Sequence, residues 1–133
     1  MKTICKRLHR GDDLFGEICT LVQENKICAA VILSGVGCVS RARLRDASGV
    51  TEREINEPCE IVSLNGTVSA ARCHIHAAFA KEDLSTVGGH LLTGCIINTT
   101  CELVIGILSE TTFGVEEDSA TGYDEIVFMR HDS

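Results

Sequence analysis

The hydrophobic and polar positions alternate at the start of the chain, switch once to helical spacing, and then return to alternation and short apolar runs. Residues 3–9 predict a first strand. Residues 11–26 predict a helix, with Asp12 or Asp13 as its N-cap and one apolar stripe that faces the core. That stripe consists of Leu14, Phe15, Ile18, Leu21 and Val22.

The next part of the chain is typical of strands. Residues 28–37 are a continuous apolar run, which favours a strand buried on both faces. The alternation at 39–46 predicts a second strand directly after it. Residues 46–58 carry turn formers and acids and predict a solvated loop.

The remaining pattern completes a sheet. Residues 59–80 predict two strands, either continuous or bent at Asn65-Gly66, a dipeptide that favours a tight turn. Residues 90–100 and 101–109 predict two more strands, and 113–129 an acidic, turn-rich segment that ends in a short strand. The pattern predicts an α+β fold, with a mostly antiparallel sheet of about seven strands flanked by one main helix. With 133 residues and one proline, we expect a single domain over 1–133.

Composition narrows the class of protein. The N-terminal segment has charge without an apolar run behind it, and the longest apolar run falls short of a membrane span, so we expect a protein that does not enter membranes. The eight cysteines stand singly in apolar segments. We therefore interpret them as reduced thiols of a cytoplasmic protein, since paired zinc-binding cysteines find no spacing support.

Charge argues against unaided DNA binding, because the formal net charge is −7. Residues 1–45 carry an excess of four positive charges, however. Arg41, Arg43 and Arg45 alternate onto one strand face and are candidates for a DNA contact; the alternative is a solvated face that pairs with nearby acids. Gly35-Val36-Gly37 half resembles a dinucleotide motif, but a strand follows it where a helix is needed.

Three of the five histidines lie within residues 74–90. His74 and His76 point to the same face of an extended strand, whereas Cys73 points to the other. His90 opens the next predicted strand after a connection that contains Gly88-Gly89, and a hairpin of this length could return it beside the first two. Three neutral imidazoles suit zinc and leave a position open for water or substrate. The alternative is three ordinary strand residues, since register cannot be read from sequence.

Glu60 is the carboxylate nearest to these histidines by predicted position, and we take it as a candidate for supporting the metal ligands from outside. Gly88 and Gly89 are candidates for the same supporting role, since glycines allow close backbone approach. No convincing general acid or base accompanies the histidines, so the sequence leaves open whether the protein is an enzyme.

The chain as a whole resembles the plants-and-prokaryotes conserved (PPC) domain. The resemblance lies in the segments at 10–45, 60–69, 73–96 and 99–108, of which GGHLL and EIVSLNG are fairly specific. The tail TGYDEIVF is similar to the family's ending. It covers most of residues 7–108 in the family's order. The chain resembles the stand-alone prokaryotic type, because the Arg-Gly-Arg-Pro core of an AT-hook does not occur in it.

The resemblance implies an antiparallel sheet flanked by a helix and assembled as a homotrimer. It also implies a metal on histidines that match His74, His76 and His90, with zinc the expected divalent transition metal. Two functions follow as hypotheses. One is a trimeric metal-binding protein whose site activates water or coordinates a small oxygen-rich ligand. The other is a non-enzymatic assembly module that binds protein partners or DNA.

Overall fold

The computed structural model describes residues 1–131, and within them the chain forms one helix and nine strands. The elements are β1 Lys2–His9, α1 Leu14–Glu24, β2 Ala30–Arg45, β3 Glu52–Ile55, β4 Cys59–Val68, β5 Cys73–Ala80, β6 Thr86–Leu91, β7 Ile96–Ile107, β8 Thr111–Asp118 and β9 Tyr123–Arg130. The predicted α+β class with one main helix is confirmed.

Seven of the strands form one antiparallel sheet in the order β1-β7-β2-β4-β5-β6, with β3 added to β2. The C-terminal end of β2 also pairs with β6, where Leu44 lies opposite Leu91 and Arg45 opposite His90. The strands β2, β4, β5 and β6 therefore close into a ring. The strands β8 and β9 form a separate hairpin.

The core lies between α1 and the inner side of the sheet. Asp13 caps the helix, since its side chain accepts a hydrogen bond from the backbone of Gly16. Four of the five predicted stripe residues are buried, and Phe15 packs against them while partly exposed. The strands contribute Ile75, Ala77, Phe79, Leu91, Ile97, Leu103 and Ile105, among others.

The two strands predicted for residues 28–46 are a single strand of 16 residues. β-Bulges allow β2 to bend, and so it needs no turn. The prediction that it is buried on both faces is wrong for the isolated chain, because Leu33 and Val36 are 49% and 55% exposed. The glycines of the half-motif serve packing: a Cβ on Gly37 would lie 2.2 Å from the carbonyl oxygen of Thr100.

Two predicted connections are in fact strands. The expected solvated loop at 46–58 contains β3, whose side chains pair with those of β2. Asn65-Gly66 lies inside β4, and the chain turns at residues 69–72 instead. A Cβ on Gly66 would lie 2.7 Å from the carbonyl oxygen of His74, so glycine is needed there for close strand contact.

The later strand boundaries also differ from the prediction. His90 lies near the end of β6 and does not open a strand, and Gly88 and Gly89 belong to the same strand. The two strands predicted at 90–109 are replaced by the end of β6 and one long β7, which passes through Thr99 at a φ of 60°. The acidic segment at 113–129 forms most of the β8–β9 hairpin, so it contains two strands and not one. Residues 119–122 make the turn between them.

Across residues 1–131, the structure contains no helix with the length and apolar character that a membrane crossing requires.

Candidate metal centre

The hairpin of β5 and β6 brings three histidines to one surface. Ile75 and Ala77 point into the core, so His74 and His76 point outward between them. His76 and His90 are direct cross-strand partners, which places both on the same face. The ring centroids lie 4.9 Å apart for His74 and His76, 5.3 Å for His74 and His90, and 5.7 Å for His76 and His90.

The spacing of the nitrogens is suitable for a metal ion. One ligand nitrogen from each ring can be chosen so that all three lie within 4.8 Å of one another. In a tetrahedral zinc site, with Zn–N bonds of about 2.0–2.1 Å, the nitrogens lie about 3.4 Å apart. Small side-chain rotations would close that difference.

Two of the rings are held in the form that binds metals. Burial lowers the pKa of His74, and the nearby Arg72 guanidinium lowers it further. Burial also lowers the pKa of His90 to about 4, with Arg45 as the next contributor. Both imidazoles are therefore neutral at pH 7, with a lone pair free to coordinate.

The surroundings of His90 give a second test of whether the site fits a metal ion. The Nδ1 atom of this residue is buried and has no hydrogen-bond partner among residues 1–131. A buried polar nitrogen without a partner carries a cost, which a metal ion or a bound ligand would remove. The donor set and this unsatisfied nitrogen both fit a transition metal.

A shallow depression of about 300 Å³ opens beside His74 and His76. Val31 and Gly66 are among the residues that line it. Asn65 and Thr67 complete it, because they are the cross-strand partners of His76 and His74 on β4. A small ligand bound at the histidines would meet an amide and a hydroxyl group here.

Charged groups surround the histidines. Arg45 lies opposite His90 across the β2–β6 pairing. Arg72 precedes His74 in the β4–β5 turn, and its Nη2 lies 4.0 Å from Oε1 of Glu125 on β9. The Glu125 carboxylate also acts on His74, where it partly offsets the lowering of the pKa.

Glu60 lies away from this site. It pairs with Ala80, four residues along β5 from His76, which corresponds to about 13 Å of strand. It lines a different depression with Cys38 and Lys81. Gly88 and Gly89 do lie beside the histidines, within β6 and next to His90.

The three arginines of β2 have different surroundings. Arg41 and Arg43 form ion pairs with Glu54 and Glu52 of β3, as the alternative of a solvated, acid-paired face predicts. Arg45 instead lies at the histidine site. The three arginines share one face of β2, as predicted, but their side chains contact different groups.

Sequence reasoning missed Arg72 and Glu125, along with the part that Arg45 plays at the histidines. A signal existed for Arg72, since it is a cationic residue that stands only two positions before His74. Nothing local indicates Glu125, because the β8–β9 hairpin brings it from about 50 residues away along the chain.

Comparison with known proteins identifies relatives over nearly the whole chain. The model of the Plants and Prokaryotes Conserved (PCC) domain, the family abbreviated PPC above, matches residues 1–109. The Bifunctional protein GlmU of a Synechococcus strain is 38% identical over 120 residues. That match covers 90% of this chain but only 19% of GlmU.

Solved structures share the fold. A hypothetical protein from Salmonella cholerae-suis is 32% identical with a TM-score of 0.94, covering 97% of this chain and 94% of the other. A metal-containing protein from Archaeoglobus fulgidus is 31% identical with a TM-score of 0.80, over 96% and 94%. A "putative DNA binding protein" from Bacteroides thetaiotaomicron, 21% identical with a TM-score of 0.84 over 95% and 91%, is similar in fold alone.

Proposed function

The chain belongs to the Plants and Prokaryotes Conserved domain family, and from that premise we propose that it is a metal-binding protein whose site is His74, His76 and His90. The observation that carries the proposal is the convergence of three ligand nitrogens within 4.8 Å. The relative from Archaeoglobus fulgidus, described as metal-containing, supports it.

Zinc is the ion that we propose, because neutral imidazoles are borderline-soft ligands that suit it. When bound, a zinc ion with three protein ligands supplies an open coordination position and lowers the pKa of a bound water to about 7. The chain's own contribution is to hold three neutral rings on one rigid hairpin.

We also propose that the chain forms one domain over residues 1–133 and assembles as a homotrimer. Exposed aliphatic side chains on β2 and β4 support assembly, because Leu33, Val36 and Val62 are 49%, 55% and 55% exposed. The eight cysteines are all free thiols, which suits the reducing cytoplasm that we propose as the location.

The test of the metal site is elemental analysis of protein purified without a histidine tag or chelator. We expect about one zinc or other transition metal per chain, and its loss in His76→Ala, because two imidazoles hold a metal far less tightly than three. His9→Ala is the matched control, since His9 is exposed on β1 and outside the site.

Two results would contradict the metal assignment. One is a wild-type protein that takes up no metal even after zinc is added. The other is a His76→Ala variant that keeps its full metal content. Circular dichroism of each variant verifies that a loss of metal does not reflect a loss of fold.

A non-enzymatic assembly module that binds protein partners or DNA is the alternative function. DNA binding has the weaker support, because two of the three candidate arginines are paired with glutamates and the chain carries a formal charge of −7. The relative named for DNA binding is only 21% identical. Contacts to phosphates would make binding fall steeply with salt, so DNA titrations at low and moderate salt would detect it.

A further inference from the structure

We propose that the histidine site takes an anionic oxygen ligand, a carboxylate or a phosphate group of a small molecule, held by Arg45 and Arg72. This inference rests on the proposed function, because it concerns the same histidine site. Its evidence is separate, because it comes from the two guanidinium groups and not from the histidines.

Arg45 carries the first part of the argument. As the cross-strand partner of His90, it projects from the histidine face. Its Nε atom is buried and has no hydrogen-bond partner among residues 1–131. Its other cross-strand partner, Glu52, bonds to Arg43 instead. A buried guanidinium N–H without an acceptor is costly, and a ligand oxygen would supply that acceptor.

Arg72 carries the second part. Its contact with Glu125 is 4.0 Å long, beyond the range of a direct hydrogen bond. Its side chain is only 27% exposed, so bulk water screens its charge incompletely. The guanidinium therefore keeps donors available for a ligand, and it lies close enough to act on both His74 and His90.

The local charge is opposite to that of the whole molecule. Apart from the histidines themselves, the charged groups close enough to act on His74 and His90 are Arg45, Arg72 and Glu125, whose charges sum to +1. The chain as a whole carries −7. A positive site on an acidic protein attracts a small anion, whereas the surrounding field repels a polyanion such as DNA.

The depression beside His74 and His76 is lined by neither arginine, so it offers room for the part of a small ligand that extends beyond its anionic group. Its volume of about 300 Å³ is at the lower end of the range for small-molecule sites. The Asn65 amide and the Thr67 hydroxyl line it and can donate hydrogen bonds to ligand oxygens. Guanidinium forks match the paired oxygens of carboxylates and phosphates.

The experiment is calorimetric titration of the full-length chain with inorganic phosphate and, separately, with succinate at constant ionic strength. Both metal-loaded and metal-free protein are titrated. We expect Arg45→Gln and Arg72→Gln each to lower the affinity for the more tightly bound of the two anions by about tenfold or more, since each substitution removes charged hydrogen bonds. Glu125→Gln should strengthen binding, because it removes a competing carboxylate.

Arg43→Gln is the matched control, because Arg43 lies on the same strand face but is paired with Glu52. The anion affinity of this variant should stay within about twofold of the wild-type value, a difference too small to indicate a lost charged contact. The stronger of the two anions identifies the ligand as a phosphate or a carboxylate compound. The inference is overturned if wild-type protein binds neither anion at millimolar concentration, or if both arginine variants bind as tightly as wild type.

Metal content, measured on the same samples, separates this inference from the proposed function. A full metal load with no anion binding would overturn the anion site alone. Anion binding to metal-free protein that is lost in the arginine variants would support the anion site even if no metal is ever bound.

Discussion

At the scale of single residues, Asp13 connects the start of the helix to the sheet. Its Oδ1 accepts a hydrogen bond from the backbone N–H of Gly16 at 2.9 Å, which caps α1. Its Oδ2 accepts one from the N–H of Gly94 at 2.7 Å, in the turn before β7. From residue type and position the sequence predicts a cap at Asp12 or Asp13. The second bond depends on a turn 81 residues away.

Substitution at Asp13 should separate these two contacts. Asp13→Ala loses both, and we expect the free energy of unfolding to fall by about 1–2 kcal/mol, the upper part of the range for lost caps. Asp13→Asn keeps one acceptor oxygen for the cap, so it should cost less. Urea denaturation measures both values, and equal stability of Asp13→Ala and wild type would show that neither bond contributes.

At the scale of elements, β6 positions the histidine site because it fits between two other strands. A Cβ on Gly88 would lie 2.9 Å from the carbonyl oxygen of Ala77 on β5. A Cβ on Gly89 would lie 2.7 Å from the carbonyl oxygen of Arg45 on β2. Both distances are too short for a side chain, so the two glycines allow the ring of strands to close beside His90.

Gly89→Ala should therefore weaken metal binding without altering a ligand. The added methyl group must push β6 away from β2, which moves His90, and we expect metal affinity to fall by about 10–100-fold, as for other residues that orient ligands. Competition with a chromogenic zinc chelator measures that affinity.

Gly106→Ala is the control for this experiment. The three atoms nearest to a Cβ at Gly106 would belong to the flexible side chains of Met1 and Leu33, not to a backbone. It should leave metal affinity unchanged. Equal affinities for both variants and wild type would refute the role assigned to β6.

At the scale of the whole molecule, the isolated chain exposes apolar surface that an assembly would cover. Val36 of β2 and Val62 of β4 are both 55% exposed, and they lie next to the paired residues Gly37 and Ile61. Solvent-facing aliphatic residues on central strands are typical of an interface rather than of a free surface.

Val36→Glu should dissociate the proposed trimer, because burying a carboxylate in an apolar contact is unfavourable. Sedimentation equilibrium should give a mass near that of one 14.3 kDa chain for this variant and three times that mass for wild type. Val50→Glu is the control, since Val50 is 77% exposed in the turn between β2 and β3. A wild-type protein that sediments as a monomer would contradict the assembly.

The sequence by itself determined the features that repeat within one element. Alternation in β5 places His74 and His76 on one face and Cys73 on the other, and helical spacing with a capping aspartate defines α1. The tertiary structure decided which elements meet. Register placed His90 opposite both His76 and Arg45, left Glu60 remote, and brought Glu125 to Arg72. A side chain's direction follows from its own strand, whereas its neighbours depend on strand pairing, which packing of the whole chain fixes.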